Sequence, residues 1–243
     1  ARYEGNRIKT SVGTIDPRTI IGEPLWKNRF GEEELTQLEK DLGEYAASSQ
    51  LQQRPSPRGG GLFKTDSFKL VNNYKRDEVE QTVRYWDKAG SKNAGCFTAG
   101  VLMHKMADGS FIIEDVVRGQ WAAPEREMKI KKTAFLDGES VRIWIEQEPG
   151  SGGKESAENT ILNLAGFCVY SDRVTGSKEV RAEPYSVQVE GGNVSLLNDS
   201  WTRDFIKEHE MFPVGKYKDM VDASAGAFNK LIFSGGVTIR VLE

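Results

Sequence analysis

Residues 82–117 constrain the fold most. Thr82 to Asp87, Gly95 to His104 and Ser110 to Val117 are short β-rich runs, and the second and third are separated only by Ala107-Asp108-Gly109. An Asp-Gly step between apolar runs favours the left-handed backbone of a tight hairpin, so three adjacent strands are predicted. After them the pattern alternates. Pro124 opens a helical stretch to about Phe135, Val141 to Glu146 alternates as a strand, and Ser156 caps a helix carrying Ile161, Leu164 and Ala165. Phe167 to Tyr170 then reads as a buried strand, followed by a mixed segment from Glu179 to Val189 and a short strand from Val194 to Leu197. Helices are predicted from Trp201 to about Met211 and from about Tyr217 to Ile232. The order β-β-β-α-β-α-β-α implies an α/β fold with a mixed central sheet, an antiparallel meander plus crossover units, flanked by helices.

The first quarter of the chain reads differently. Residues 1–27 show no sustained periodicity, whereas Leu35, Leu38, Leu42 and Tyr45 mark one face of an amphipathic helix from Gly31 to Gln50. Pro55, Pro57 and Gly59-Gly60-Gly61 break both helix and strand and read as a linker, so a boundary is expected between residues 1–61 and 62–243. The chain begins with Ala and is expected to be a piece of a longer protein.

Composition narrows the chemistry. No apolar run approaches the ~18 residues of a membrane-spanning helix. Cys96 and Cys168 lie far apart in apolar stretches and suggest buried thiols in a reducing compartment. His104 and His209, without a CxxC pair, make a zinc site improbable and read as structural, so any metal must be held by carboxylates. The net charge of −3 argues against a protein held to nucleic acid by charge alone.

Carboxylates stand at telling positions. Asp87 ends one apolar strand and Glu146 ends another, in which Ile143 and Ile145 share one face and Trp144 and Glu146 the other. Each also fits a strand-end turn. Asp219 and Asp222 lie three apart at a helix start, where the dipole alone favours negative charge. Three converging carboxylates would repel unless divalent cations sat between them, and hard Mg²⁺ or Mn²⁺ suits oxygen ligands. The loop Gly150-Ser151-Gly152-Gly153-Lys154 fails as a Walker A motif, because Glu148 stands where its first glycine belongs and Glu155 follows Lys154. It reads equally as a flexible turn or as a cradle for a backbone phosphate, with Lys154 beside it. Lys129, Lys131 and Lys132 form one basic cluster, and Arg173, Lys178 and Arg181, around Thr175-Gly176, form a better candidate for DNA phosphate contacts.

These residues bring a family resemblance into view. Gly43-Glu44-Tyr45-Ala46 with Gln52-Gln53-Arg54-Pro55, then Tyr85-Trp86-Asp87-Lys88-Ala89, Asp115-Val116-Val117-Arg118-Gly119, Ile145-Glu146-Gln147-Glu148-Pro149-Gly150 and Lys218-Asp219-Met220-Val221-Asp222-Ala223, in that order and spacing, resemble the C-terminal nuclease domain of the large terminase subunit of tailed bacteriophages. The resemblance covers nearly the whole chain. It implies a ribonuclease H-like fold over 62–243 and the end of the ATPase region plus linker over 1–61. It also implies hydrolysis of double-stranded DNA with two divalent cations, Mg²⁺ or Mn²⁺, at packaging initiation and termination. By position Asp87 becomes the ligand shared by both ions, Glu146 the second and Asp219 the third. The family's last motif often begins with paired acids; here Lys218 replaces the first, leaving Asp222 either a substitute ligand or a packing residue, and Glu148 is a lesser candidate. No GxxxxGK[ST] string occurs, so this chain is not expected to power translocation. Implied partners are double-stranded DNA, the ATPase domain of the same full-length protein, the portal protein and the small terminase subunit, in the host cytoplasm during phage assembly and not at a membrane. The alternatives are a junction-resolving or recombination nuclease of the same superfamily and a catalytically silent DNA- or portal-binding module. A glycosidase using Asp87 and Glu146 leaves the third acid unexplained.

Overall fold

The computed structural model describes residues 2–3, 13, 17–27, 29, 31–51, 61–88, 96–148 and 150–233, with only the backbone of 42–50. The Pro/Gly linker over 52–60, the side chains of Leu42 and Tyr45, and Ala89 and Pro149 of the quoted strings lie outside these residues. The chain divides into two compact units, Ala1–Gly59 and Gly60–Glu243. In the first, helix α1 (Glu32–Leu51) opens with Glu32, Glu33 and Glu34, whose charges suit a helix N-terminus. Leu35 is buried, and Arg2 ties the unit together through Glu39 at 2.8 Å and Glu32 at 2.5 Å.

The second unit is built on a seven-stranded sheet of order β1-β7-β4-β3-β2-β5-β6. The strands are β1 (Lys69–Val71), β2 (Val79–Asp87), β3 (Thr98–Met106), β4 (Phe111–Gly119), β5 (Arg142–Gln147), β6 (Cys168–Arg173) and β7 (Val194–Leu197). β2, β3 and β4 pair antiparallel, with Gly109 taking φ 84° in the β3–β4 hairpin as the Asp-Gly signal requires. β5 adds parallel to β2, β6 parallel to β5, and β7 joins β4 and β1 in parallel. The mixed α/β arrangement is therefore the expected one.

Helices cover both faces. α2 (Ala123–Asp137) and α3 (Ser151–Asn163) seal a core of Trp86, Ile130, Ala134, Ile143, Ile145, Ala157 and Leu164. On the opposite face α4 (Lys178–Glu190), α5 (Thr202–Glu210) and α6 (Asp219–Phe233) pack on Val83, Tyr85, Val101, Met103 and Ile113. Alternation along β2 sends Val83 and Tyr85 to one core and Trp86 to the other. Arg84, on the Trp86 side, is fully buried, and its guanidinium grips both Asp137 oxygens at 2.7 Å and Asp115 at 2.8 Å. That fork joins β2, β4 and α2, and removing Arg84 would cost roughly 3–5 kcal/mol by stranding the buried Asp137 carboxylate.

Several sequence expectations are corrected. α3 begins at Ser151 instead of being capped by Ser156, because the glycines form its first turn: a Cβ on Gly153 would overlap the Glu148 carbonyl, so glycine lets the helix start directly against the chain leaving β5. The mixed segment 179–189 is a helix despite Pro184, since Ala182, Tyr185, Ser186 and Val189 repeat at helical spacing and are all buried. β6 is an exposed edge strand and not a buried one, and both Cys96 and Cys168 are exposed. β1, three residues with two exposed, carried too little apolar signal to be predicted. Among the described residues no helix is long and apolar enough to cross a membrane.

Both histidines are structural. His104 lies 2.8 Å from Thr82 Oγ1 and 2.6 Å from Glu114, whose carboxyl this hydrogen bond draws down to about 2. His209 is wholly buried among Phe63, Phe68, Tyr185 and Phe205; its Nδ1 donates to the Phe205 carbonyl at 2.9 Å, and burial pushes its pKa down to about 3. The folded protein refuses a proton that the unfolded chain accepts below its ordinary value of 6.5, so His209 makes stability fall on acidification through that window. At pH 5 this is on the order of 2 kcal/mol. Denaturant unfolding at pH 7 and pH 5 is expected to show a smaller loss over that interval in His209→Phe than in the parent chain.

Candidate metal centre

The parallel pairing of β2 with β5 places Trp86 opposite Ile145. One step further along each strand come Asp87 and Glu146, both facing the α4–α6 side because their neighbours Trp86 and Ile145 face the other. The β5–β6 register then sets Asp172 opposite Glu146. α6 starts at the same end of the sheet and adds Asp219 and Asp222 from its first turn. Asp87, Glu146, Asp219 and Asp222 are all buried, with Asp222 only 1% exposed.

Two cations enter the cluster from the start of α4. The Lys178 ammonium contacts Asp222 and lies 3.9 Å from Asp87; the Arg181 guanidinium lies 3.2 Å from Glu146 and 3.5 Å from Asp222. Burial raises the Asp87 pKa well above the carboxylate range, and the charges of Glu146, Asp222 and Asp219 push the same way against Lys178. Burial lifts Asp222 to about 6 although Lys178 and Arg181 oppose it. Asp219 is raised by burial too, held back chiefly by the Phe97 backbone N–H, which donates to its Oδ2 at 3.1 Å. The Tyr85 hydroxyl donates to Asp172 at 2.8 Å and stands 3.4 Å from Glu146, while Lys230 pairs with Asp172 at 2.6 Å. A Cβ on Gly226 of α6 would run into the Tyr85 ring, so a glycine there lets the helix close over the ring.

The position of α6 is itself braced. Buried Glu208 of α5 accepts from the amides of Met220 at 2.6 Å and Val221 at 3.3 Å, capping the helix from another element. Its other oxygen pairs with Arg118 at 3.0 Å, and that guanidinium lies over the Phe97 ring at 3.9 Å. One chain of contacts thus runs from β4 through α5 to α6 and back to the residue that holds Asp219. Lys88, next to Asp87, is buried and donates to Ser156 O, Ser156 Oγ and Thr160 Oγ1 within 2.9 Å, fixing the end of β2 to α3; burial lowers it to about 8.

Among the described residues no three acidic, histidine or cysteine groups already stand close enough to enclose an ion. The donor set nonetheless fits a hard divalent cation. It is oxygen-only, buried and mutually repelling, and both Asp222 oxygens lack a well-aligned hydrogen bond, being met only by the two ion pairs. Of the other sequence-derived candidates, Lys154 is an exposed residue of α3 paired with Glu158 at 3.6 Å, Arg173 is exposed at the end of β6, and Glu148 is exposed beyond β5. Lys178 and Arg181 stand among the carboxylates. Asp172, Tyr85, Glu208 and Arg118 were not singled out from sequence as site residues. Asp172 ends a strand beside the Glu146 strand and answers to the same reasoning as Asp87; the Glu208 cap joins elements whose meeting no spacing reveals.

The family described as Terminase RNaseH-like domain matches residues 84–231, a span holding all four carboxylates. Among solved structures, the large terminase nuclease from thermophilic phage G20c with bound magnesium gives a TM-score of 0.52 at 15% identity, over 72% of this chain and 99% of that one. The same nuclease with bound zinc gives 0.51 at 16% identity, over 70% and 98%. At such identities the likeness is one of fold. No curated protein sequence matches the chain.

Replacing Glu208 by Ala strips the acceptor from two α6 amides and the partner from Arg118, at a cost of about 2 kcal/mol. Glu208→Gln retains a carbonyl oxygen for those amides and is expected to lose less than half of that, as read by chemical unfolding in EDTA.

Proposed function

Because the chain belongs to the terminase RNase H-like domain family, we propose that it is the metal-dependent endonuclease domain of a phage DNA-packaging terminase, cutting concatemeric double-stranded viral DNA when packaging starts and ends. What carries this reading is the convergence of Asp87, Glu146, Asp219 and Asp222 from two strand ends and one helix start. A pair of Mg²⁺ or Mn²⁺ ions bound there would supply Lewis-acid polarisation of the phosphodiester and an activated water.

The chain's own residues set up that chemistry. Asp87, in reach of Lys178 and under the field of Glu146, Asp219 and Asp222, is the central oxygen donor; Glu146 and Asp219 flank it, and Asp222 is the fourth acid. Arg181 holds Glu146 in place, the Phe97 amide holds Asp219, and Tyr85 ties Asp172 to the Glu146 side. The surrounding apolar core excludes water from the carboxylates' inner sides, which keeps them in need of cations. Lys154 and Arg173, exposed on the α3 and β6 side, are the proposed contacts to the DNA backbone.

Residues 1–61 are proposed to be the end of the ATPase region and its linker, and the ATPase domain, portal protein and small terminase subunit to be the partners in the host cytoplasm. The Lys178 and Arg181 ion pairs are the observation that favours a second reading, a catalytically silent DNA- or portal-binding module whose acids are structural. Supercoiled plasmid incubated with the chain and Mn²⁺ separates the two: nicking is expected from the parent, with at least a hundredfold less from Asp87→Ala. An Asp87→Ala protein that nicks as fast as the parent would sink the assignment.

A further inference from the structure

The two cations in the carboxylate cluster are not equivalent. Arg181 is 16% exposed, bridges Glu146 and Asp222, and has its own carbonyl held by Asn229 of α6 at 3.1 Å. It is locked between two helices. Lys178 is 41% exposed and sits in the first turn of α4, just after the Ser177 cap, with Asp222 and Asp87 as its ion-pair partners. An unbranched stem at a half-open position withdraws by rotation about its own bonds, with no backbone movement. Asp222 Oδ2 would then lose its positive partner, while Arg181 stays 3.5 Å from Oδ1, beyond the usual range of an N–H···O hydrogen bond.

Resting on the metal-dependent function above, we propose that Lys178 is an exchangeable cation of the site, an ammonium that neutralises Asp222 and Asp87 until a divalent cation takes their oxygens, whereas Arg181 is the fixed partner of Glu146. The same oxygens cannot serve both. A divalent ion brings twice the charge and several ligand positions, but its net affinity is lowered by the ion pairs that must be broken first. Lys178 therefore sets how much free metal the site demands, and its side chain is released towards solvent on loading.

Two measurements on the whole chain, without DNA, decide this. In calorimetric titration with Mn²⁺, Lys178→Ala and Lys178→Gln are each expected to bind at least threefold more tightly than the parent. In amine acylation read by mass spectrometry on the unmodified protein, labelling of Lys178 relative to exposed Lys154 is expected to rise at least twofold on Mn²⁺ saturation. If the parent binds Mn²⁺ but the variants bind equally or more weakly, or if Lys178 labelling stays level or drops, the exchange is overturned and the nuclease reading stands. If neither parent nor variants bind Mn²⁺ at millimolar concentration, both fail. The acylation arm needs no substitution, so its outcome does not depend on a variant folding.

Discussion

Negative charge confined to the ends of two buried strands is the condition to which the rest of this domain answers. Two carboxylates about 6 Å apart at an effective dielectric near 20 would repel by roughly 3 kcal/mol, and Glu146, Asp222 and Asp219 all act on Asp87 in this sense. Burial adds to that cost, as the raised pKa values of Asp87, Asp219 and Asp222 record. Each surrounding feature offsets part of it: the positive start of α6, the Phe97 amide, and the ammonium and guanidinium of α4. Glu208 complicates this balance by bringing a further acid to the same helix start, and burial lifts its pKa to about 7 while Arg118 holds it down. Cap and counter-charge arrive as a pair.

The sheet supplies the precision. Parallel pairing of β2 with β5, and of β5 with β6, makes Asp87, Glu146 and Asp172 neighbours by register alone. Two-residue alternation sends all three to the face where α6 can meet them. A one-residue slip of β5 would exchange Glu146 for an isoleucine and put a charge into the core of Trp86, Ile130 and Ala157. The burial of Ile143 and Ile145 is therefore also what aims Glu146.

Much of this was legible in the chain, and the rest was hidden for identifiable reasons. The Asp108-Gly109 hairpin, the alternation of residues 141–146 and the apolar spacing of the last helix announce themselves locally, and they place Asp87, Glu146, Asp219 and Asp222 at element ends. Lys178 and Arg181 read as candidate DNA phosphate contacts and not as partners of the carboxylates, since nothing in their neighbourhood shows that α4 begins beside α6. The glycines at 152 and 153 suggested a loop because flexibility is their commoner use, whereas here close approach to Glu148 is what requires glycine at 153. Cys168 looked buried because its run is apolar, yet it lies on an edge strand that no sequence pattern ranks within a sheet.

The sheet also separates two cores that touch the carboxylates differently. The α4–α6 core contacts them directly, while the α2–α3 side reaches them through Trp86 and Ile145, the residues immediately before Asp87 and Glu146, and through Lys88, the residue immediately after Asp87. In evolutionary terms this gives the domain a permissive side and a restrictive one. Helices α2 and α3 can change over their solvent-facing surfaces only while Asp137 keeps Arg84, Ser156 and Thr160 keep Lys88, and the seats of Trp86 and Ile145 stay filled, so tolerance on the side turned away from the chemistry is confined to the outer faces of those helices.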